Sequence, residues 1–119
     1  MQDHKATVQR YLQGFRDSDH AAVLDCLTDD VVWDIYGFTQ VRGKEGFDGA
    51  IEHEDFQSRP RVTAERFVEE GDTVVAIGRV LSARKDDTEL DAVFCDVFTF
   101  DGDLISRVES YVVPSGGAP

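Results

Sequence analysis

The chain has 119 residues, 41% of them hydrophobic and 30% charged, a balance typical of one globular domain and not of a disordered or membrane-spanning chain. Twelve basic against twenty-four acidic residues give a net charge of −12, which repels phosphate backbones and anionic lipids and argues against nucleic acid and membranes as partners. No apolar run approaches the ~20 residues that span a bilayer and the N-terminus lacks a signal-peptide pattern, so we expect a cytoplasmic protein.

The first half of the chain predicts three helices and one strand. Apolar residues recur at helical spacing over residues 3–16, and Asp19 can cap a short second helix that follows. The β-branched and aromatic run at residues 31–36 predicts a strand. We expect a loop over residues 37–43 and a third helix over residues 44–56.

The second half predicts four strands, each rich in valine, phenylalanine and threonine. Short polar segments at residues 70–72, 85–87 and 101–103 separate them and have the composition of hairpin turns. Helices first and antiparallel strands last predict an α+β fold, with three helices packed on a curved, mainly antiparallel sheet that forms a cone around an apolar pocket. We expect one domain over residues 1–114 and a flexible tail over residues 115–119.

Asp96 is the candidate functional residue that the strand pattern identifies most sharply. Alternate residues of a strand share one face, and that face otherwise carries Leu90, Ala92, Phe94, Phe98 and Phe100. An ionised carboxylate there must be paired or placed at a cavity, because an unpartnered one would cost several kcal/mol. Arg79 lies among apolar residues of the preceding strand in the same way. The two side chains either form an ion pair in the core, or one or both face a ligand pocket.

The other face of the strand that carries Asp96 is also apolar. A sheet that is apolar on both faces needs helices on one side and a second surface on the other, so we expect a homodimer through the sheet. Trp33 and Tyr36 belong either to the core or to the rim of a pocket, and His53 is either a surface charge or a catalytic candidate. The sequence has no phosphate-binding loop or metal-binding motif, so no cofactor or metal is expected.

The order of elements and several motifs resemble the SnoaL-like branch of the nuclear transport factor 2-like superfamily. These motifs are VQRYLQGFRDSDHAAVLDCL at residues 8–27, LTDDVVWDIYG at 27–37, RGKEGFDGAI at 42–51 and CDVFTFDGDLISRVESYVV at 95–113. The resemblance covers nearly the whole chain and implies the cone-shaped fold. The superfamily includes ketosteroid isomerase, limonene epoxide hydrolase, polyketide cyclases and non-catalytic domains, so the motifs imply a fold and not one reaction.

The resemblance to ketosteroid isomerase implies roles for two residues. Tyr11 is similar to the phenol of the oxyanion hole, and Asp96 is similar to its protonated carboxylic partner. The position of the general base holds Ile35, so the base would be the adjacent Asp34 or His53.

The resemblance to limonene epoxide hydrolase implies less. Arg79 is similar to the arginine of its Asp-Arg-Asp triad, but Leu81 and Ser110 occupy the two aspartate positions. Hydrolysis of epoxides by that mechanism is therefore not expected.

These observations together predict a cofactor-independent isomerase, cyclase or lyase that acts on a small, mostly apolar carbonyl compound. Tyr11 and Asp96 would stabilise a developing oxyanion, with Asp34 or His53 as the base. The residues expected to bind the substrate are Trp33, Tyr36, Phe47, Arg79 and Phe94. The alternative is a non-catalytic small-molecule-binding or association module, which the absence of an acid at Ile35 favours.

Overall fold

The computed structural model describes residues 3–51, 61–83 and 89–114. Its elements are α1 (His4–Asp17), α2 (His20–Leu24), β1 (Leu27–Ile35), β2 (Thr39–Arg42), α3 (Gly43–Ala50), β3 (Arg61–Glu70), β4 (Thr73–Ala83), β5 (Glu89–Asp101) and β6 (Leu104–Pro114). The six strands form one open sheet in the order β2-β1-β6-β5-β4-β3. All neighbours are antiparallel except β1 and β6, which run parallel. The α+β prediction is confirmed, with a mixed sheet.

The two N-terminal helices begin and end where their capping residues place them. The Asp3 carboxylate accepts a hydrogen bond from the Ala6 amide at the start of α1, and Asp19 accepts one from Ala22 at the start of α2. Each such cap contributes about 1 kcal/mol, because it satisfies a backbone donor that the helix leaves free. Ser18 ends α1 in the left-handed region, with φ of 51°. The predicted cap at Asp19 is confirmed.

Two boundaries differ from those that the sequence predicts. The first strand begins at Leu27, because Leu27 pairs with Ile105 of β6 before the register shifts. The predicted loop over residues 37–43 contains β2, a short edge strand whose side chains are largely exposed and which therefore shows no apolar alternation. Residues 52–56 of the predicted third helix and the predicted turn at 85–87 lie outside the described residues.

The two remaining predicted turns are confirmed. They lie between β3 and β4 and between β5 and β6, and each has a glycine at the position with positive φ. These glycines are Gly71, with φ of 58°, and Gly102, with φ of 62°. A residue without a β-carbon adopts this conformation at little steric cost.

The core lies between the helices and one face of the sheet, which we call the inner face. Helix α1 buries Val8, Tyr11 and Leu12 against it, and α3 buries Phe47. Phe98 at the centre of β5 is also fully buried. Each large apolar side chain removed from water in this way stabilises the fold by about 1.5–3 kcal/mol.

Strand β3 has a bulge, and its backbone lies unusually close to β4. The register of these strands shifts between Ala64 and Arg66, which marks a bulge. Opposite the bulge, a β-carbon built on Gly78 would lie 1.9 Å from the carbonyl oxygen of Thr63. Only glycine leaves room for the backbone of β3 at this position.

The face of the sheet away from the helices, which we call the outer face, carries exposed apolar side chains. These include Val68, Val93, Tyr111 and Val113, the last with 58% of its surface exposed.

In the described part of the chain, no helix combines the length and the apolar character needed to cross a membrane.

Candidate functional site on the inner face

Asp96 lies at the centre of the sheet, on the inner face. Its register partners are Ala76 on β4 and Ser110 on β6, and Phe94 and Phe98 flank it along β5. Part of Asp96 stays accessible to water. Loss of hydration raises the pKa of its carboxyl to about 7, and hydrogen bonding from the Ser110 side chain acts in the opposite direction. The protonated and ionised forms of this carboxyl are therefore present in similar amounts near neutral pH.

Tyr11 brings a phenol from helix α1 to the same region. The residue is 2% exposed, and its ring packs edge-on against Phe98 with 5.1 Å between centroids. Burial raises the pKa of the Tyr11 hydroxyl well above its ordinary value, and the negative charge of Asp96 raises it further. Phe98, against which the Tyr11 ring packs, flanks Asp96 along β5. Tyr11 is therefore a neutral hydrogen-bond donor close to Asp96.

A cluster of aromatic rings surrounds the phenol of Tyr11. Trp33 stacks on Phe47 with 4.6 Å between centroids, and its edge meets Phe15 at 5.7 Å. Tyr11 lies 6.0 Å from Phe47 and 4.9 Å from Phe15. This cluster places the Asp96 carboxyl and the Tyr11 hydroxyl in an apolar environment, in which electrostatic interactions are stronger than in water.

Trp33 also makes a polar contact on the inner face. Its indole nitrogen donates a hydrogen bond to the Ser110 hydroxyl oxygen at 2.8 Å. Ser110 is 4% exposed and is the register partner of Asp96. The predicted residues Tyr11, Trp33, Phe47, Phe94 and Asp96 are thus brought together on the inner face.

Asp34 is not part of this group. It follows Trp33 in β1 and its side chain forms an ion pair with Arg107 of β6. The Gln40 side chain donates a second hydrogen bond to it at 2.5 Å, and Asp34 is only 7% exposed. The carboxylate is therefore held by a cation and an amide, and its role as the base has no support from this placement.

Arg79 lies on the outer face, away from Asp96. Its register partner is Val93, and its guanidinium lies 3.7 Å from the Glu65 carboxylate. The ion pair with Asp96 that the sequence left open is not formed. Arg79 instead faces a groove of about 320 Å³. That groove is lined by Thr63, Glu65, Arg79, Val80, Leu81 and Asp91.

Another predicted site residue, Tyr36, is not placed with Asp96 either. Tyr36 is half exposed, stacks on Tyr111 with 4.8 Å between centroids, and donates a hydrogen bond to Glu109 at 2.9 Å. His53 lies outside the described residues. Among the residues that the structure describes, no three His, Cys, Asp or Glu side chains converge as metal ligands do.

Comparison with known proteins identifies the family of the chain. The sequence profile of the SnoaL-like domain family matches residues 8–108. The chain belongs to the SnoaL-like family. The resemblance that the sequence motifs indicated is confirmed, and no curated protein sequence matches this SnoaL-like chain significantly.

Solved structures share the fold of this SnoaL-like chain. A protein of unknown function from Burkholderia pseudomallei K96243, described as NTF2-like, superposes with a TM-score of 0.86 at 21% identity, over 96% of this chain and 93% of its own. TerC, co-crystallised with polyporic acid, gives a TM-score of 0.82 at 23% identity and coverages of 92% and 91%. A putative SnoaL-like polyketide cyclase from Jannaschia sp. CCS1 gives 0.80 at 21% identity and coverages of 92% and 84%. At these identities the superpositions show a common fold.

Reasoning from sequence missed two side chains, one beside Asp96 and one that pairs with Asp34. Ser110 shares the inner face of β6 with Val108, and that alternation could have identified it as a buried hydroxyl beside the acid. Arg107 was missed because its partner Asp34 is 73 residues away, and the pairing of β1 with β6 that joins them has no local signal.

Proposed function

We propose that this SnoaL-like domain binds a small, mostly apolar carbonyl compound against the inner face, and that Asp96 transfers a proton to or from it. The reaction would be an isomerisation, a cyclisation or an elimination that needs no cofactor. The observation that carries the proposal is a carboxyl group on an apolar face, beside a buried phenol, with its pKa raised to about 7.

The raised pKa suits Asp96 to both directions of proton transfer. A general acid or base is most effective when its pKa lies near the working pH, because both forms are then available. Ionised Asp96 would take a proton from the carbon next to the carbonyl. The electron pair of that C–H bond would form a C=C bond, and the π pair of the carbonyl would move to its oxygen. For an isomerisation, the protonated Asp96 would then return the proton to the far carbon of a C=C bond conjugated with the enolate, and the electron pair on oxygen would re-form the carbonyl. No oxidant or reductant is needed.

Tyr11 would stabilise the negative charge that develops on the carbonyl oxygen. A neutral phenol in an apolar site donates a strong hydrogen bond to an oxyanion, because the surrounding rings exclude competing water. The resemblance to ketosteroid isomerase implied this role for Tyr11 and Asp96 together, with Asp34 or His53 as the base. The pairing of Asp34 with Arg107 supports moving the proton-transfer role to Asp96 itself.

Two structural neighbours support the choice of a small organic ligand. A structural neighbour was co-crystallised with polyporic acid, and another is a putative polyketide cyclase. The rival proposal, a binding module without turnover, uses the same inner-face site and lacks only the proton-transfer step.

Titration of Asp96 with and without a probe ligand tests the proposal. We expect the carboxyl ¹³C resonance of Asp96 to titrate near pH 7, and 4-nitrophenol, an oxyanion analogue with a flat ring, to shift that titration. Tyr11→Phe should weaken the binding of this probe by about tenfold or more, because it removes one charge-assisted hydrogen bond. Asp103→Asn, a change on an exposed turn, should leave probe binding unchanged. Titration of Asp96 in the ordinary carboxyl range, with no response to the probe, would contradict the proposal.

Turnover separates the enzyme from the binding module. Exchange of deuterium from D2O into the α-carbon of simple cyclic ketones reports proton transfer at carbon directly. We expect Asp96→Asn to abolish any catalysed exchange and Asp103→Asn to preserve it. Probe binding without catalysed exchange across a ketone panel would support the binding module instead.

We also propose that two copies of the chain pair through the outer face. The exposed side chains of Val93, Tyr111 and Val113 form an apolar surface there, of the kind that marks an interface. Because each copy carries a charge of −12, added salt should favour the pair by screening repulsion. We expect light scattering to give the mass of a dimer, and Val113→Lys but not the exposed helix change Gln9→Lys to give a monomer. A wild-type chain that stays monomeric at raised salt would contradict pairing.

A further inference from the structure

Ser110 is held rigidly beside Asp96 by strands on both sides. In the register of the sheet it is opposite Asp96 of β5 and opposite Ile35 of β1. Its backbone carbonyl also accepts a hydrogen bond from the Tyr36 amide at 3.2 Å. A hydroxyl placed on paired strands keeps its position better than one on a loop. Its side chain is nearly inaccessible to water, so its hydrogen bonds must be made within the protein.

The contact with Trp33 fixes the direction in which the Ser110 hydroxyl donates. An indole N–H can only donate, and it points at the Ser110 oxygen from 2.8 Å. The hydroxyl is therefore the acceptor in that contact. Its single proton is left for another acceptor, and its register partner Asp96 places a carboxyl group next to it on the inner face. We call this arrangement of the three side chains the Trp33–Ser110–Asp96 relay.

We propose that Trp33 and Ser110 are positioning residues for Asp96: the indole orients the hydroxyl, and the hydroxyl holds the carboxylate in one place and favours its ionised form. This inference rests on the proposed function in treating Asp96 as the group that transfers the proton. It gives Trp33 a role beyond the aromatic packing that its contacts with Phe15 and Phe47 already provide.

The relay opposes the effect of burial on the carboxyl. Burial in an apolar surrounding disfavours the charged form, whereas a hydrogen bond donated to the carboxylate favours it. Both effects act on Asp96, and burial is the larger. Without the hydroxyl, Asp96 would keep its proton to higher pH and fewer molecules would hold the base form at neutral pH. The relay therefore sets how much of the protein is ready to take a proton.

The test is a double-mutant cycle on the titration of Asp96, followed by carboxyl ¹³C NMR without any ligand. Ser110→Ala should move the titration midpoint up by about one pH unit, the effect of losing one hydrogen bond to a charged group. Ser110→Thr keeps the hydroxyl and should restore the wild-type midpoint. Trp33→Phe keeps a ring to stack on Phe47 but loses the N–H, and should move the midpoint up by a smaller amount.

The decisive variant is the double one, Trp33→Phe with Ser110→Ala. If the indole acts through the hydroxyl, Asp96 in the double variant should titrate with the same midpoint as in Ser110→Ala alone. Equal effects of Trp33→Phe in both backgrounds would show that Trp33 acts by packing, and would overturn the relay. An unchanged midpoint in Ser110→Ala would overturn it as well. Near-UV circular dichroism checks that each variant keeps the packed aromatic cluster, and Ser110→Thr keeps the test decisive if Ser110→Ala does not fold.

The relay and the proposed function fail in different ways. Because the titration uses no ligand, the relay is confirmed or overturned whether or not the probe binds. Loss of the predicted midpoint shifts together with intact probe binding would overturn the relay alone. The predicted shifts together with no response to 4-nitrophenol and no deuterium exchange would overturn the proposed function alone.

Discussion

Asp96→Asn should stabilise the protein at alkaline pH, although it removes a carboxylate from the centre of the sheet. The folded state raises the pKa of Asp96 from 3.8 to about 7. Folding therefore favours the protonated carboxyl. Its contribution to the free energy of unfolding is fully present below the unfolded pKa and is lost as the pH rises through about 7. Asparagine is always neutral and has nearly the same shape, so it does not lose this contribution.

The size of the effect follows from the difference between the two pKa values. That difference is about three units, and at about 1.4 kcal/mol per unit the full effect is about 4 kcal/mol. The part of Asp96 that stays accessible to water reduces this, so we expect about 2–4 kcal/mol at alkaline pH. Such a gain is a large share of the total stability of a small domain, which is about 5–15 kcal/mol.

Urea unfolding followed by far-UV circular dichroism, from about pH 4 to about pH 8, measures the effect. The free energy of unfolding of Asp96→Asn should match the wild type at the acidic end and exceed it progressively towards the alkaline end. Asp103→Asn removes the same formal charge from an exposed turn and should show no such divergence. Parallel curves for Asp96→Asn and wild type over this range would refute the account of Asp96 as a buried acid.

Three further changes test the fold around the site. Gly78→Ala should destabilise the protein by about 2 kcal/mol or more in urea unfolding, because its β-carbon would lie 1.9 Å from a backbone oxygen. The control Gly49→Ala, whose β-carbon meets nothing within 4 Å, should be neutral or stabilising. Equal effects of the two changes would contradict the close approach of β3 to Gly78. Asp34→Asn should lower the free energy of unfolding by about 1–3 kcal/mol, because it leaves Arg107 without its partner. The titration midpoint of Asp96 should not change, and a changed midpoint would show that the two carboxylates are coupled. Asp19→Ala should cost about 1 kcal/mol by removing the cap of α2, and an unchanged thermal midpoint would contradict that role.

The position of Asp96 was predictable because it depends on a single strand. Period-two alternation places it on the same face as Phe94 and Phe98, and the helices cover whichever face carries those rings. The position of Arg79 relative to Asp96 depends on how two strands pair. Residue 79 is opposite 93, and residue 96 is opposite 76, so the two side chains leave the sheet on different sides. A register shifted by one residue would have put them on the same side, and composition does not fix that register.

The role of Asp34 was beyond sequence reasoning for a similar reason. Alternation along β1 places Asp34 on the face opposite to Trp33. What holds the carboxylate there is Arg107, which arrives through the parallel pairing of the first long strand with the last one. Pairing between strands so far apart in the chain is settled by the whole fold, not by any local pattern. The short strand β2, which supplies Gln40, has too few apolar residues to show alternation.

The two strand carboxylates show how the face of a sheet decides the chemistry of an acid. Asp34 and Asp96 are both largely removed from water, yet a cation and an amide hold Asp34, whereas a serine hydroxyl is the group that favours the charge on Asp96. A cation compensates the cost of burying a charge, and a neutral hydroxyl compensates it only in part. Asp96 therefore reaches neutral pH with both of its protonation states accessible, which is the property that proton transfer requires. The ion pair of Asp34 with Arg107 joins β1 to β6. Because a neutral hydroxyl lies beside Asp96, that carboxyl stays available for reaction.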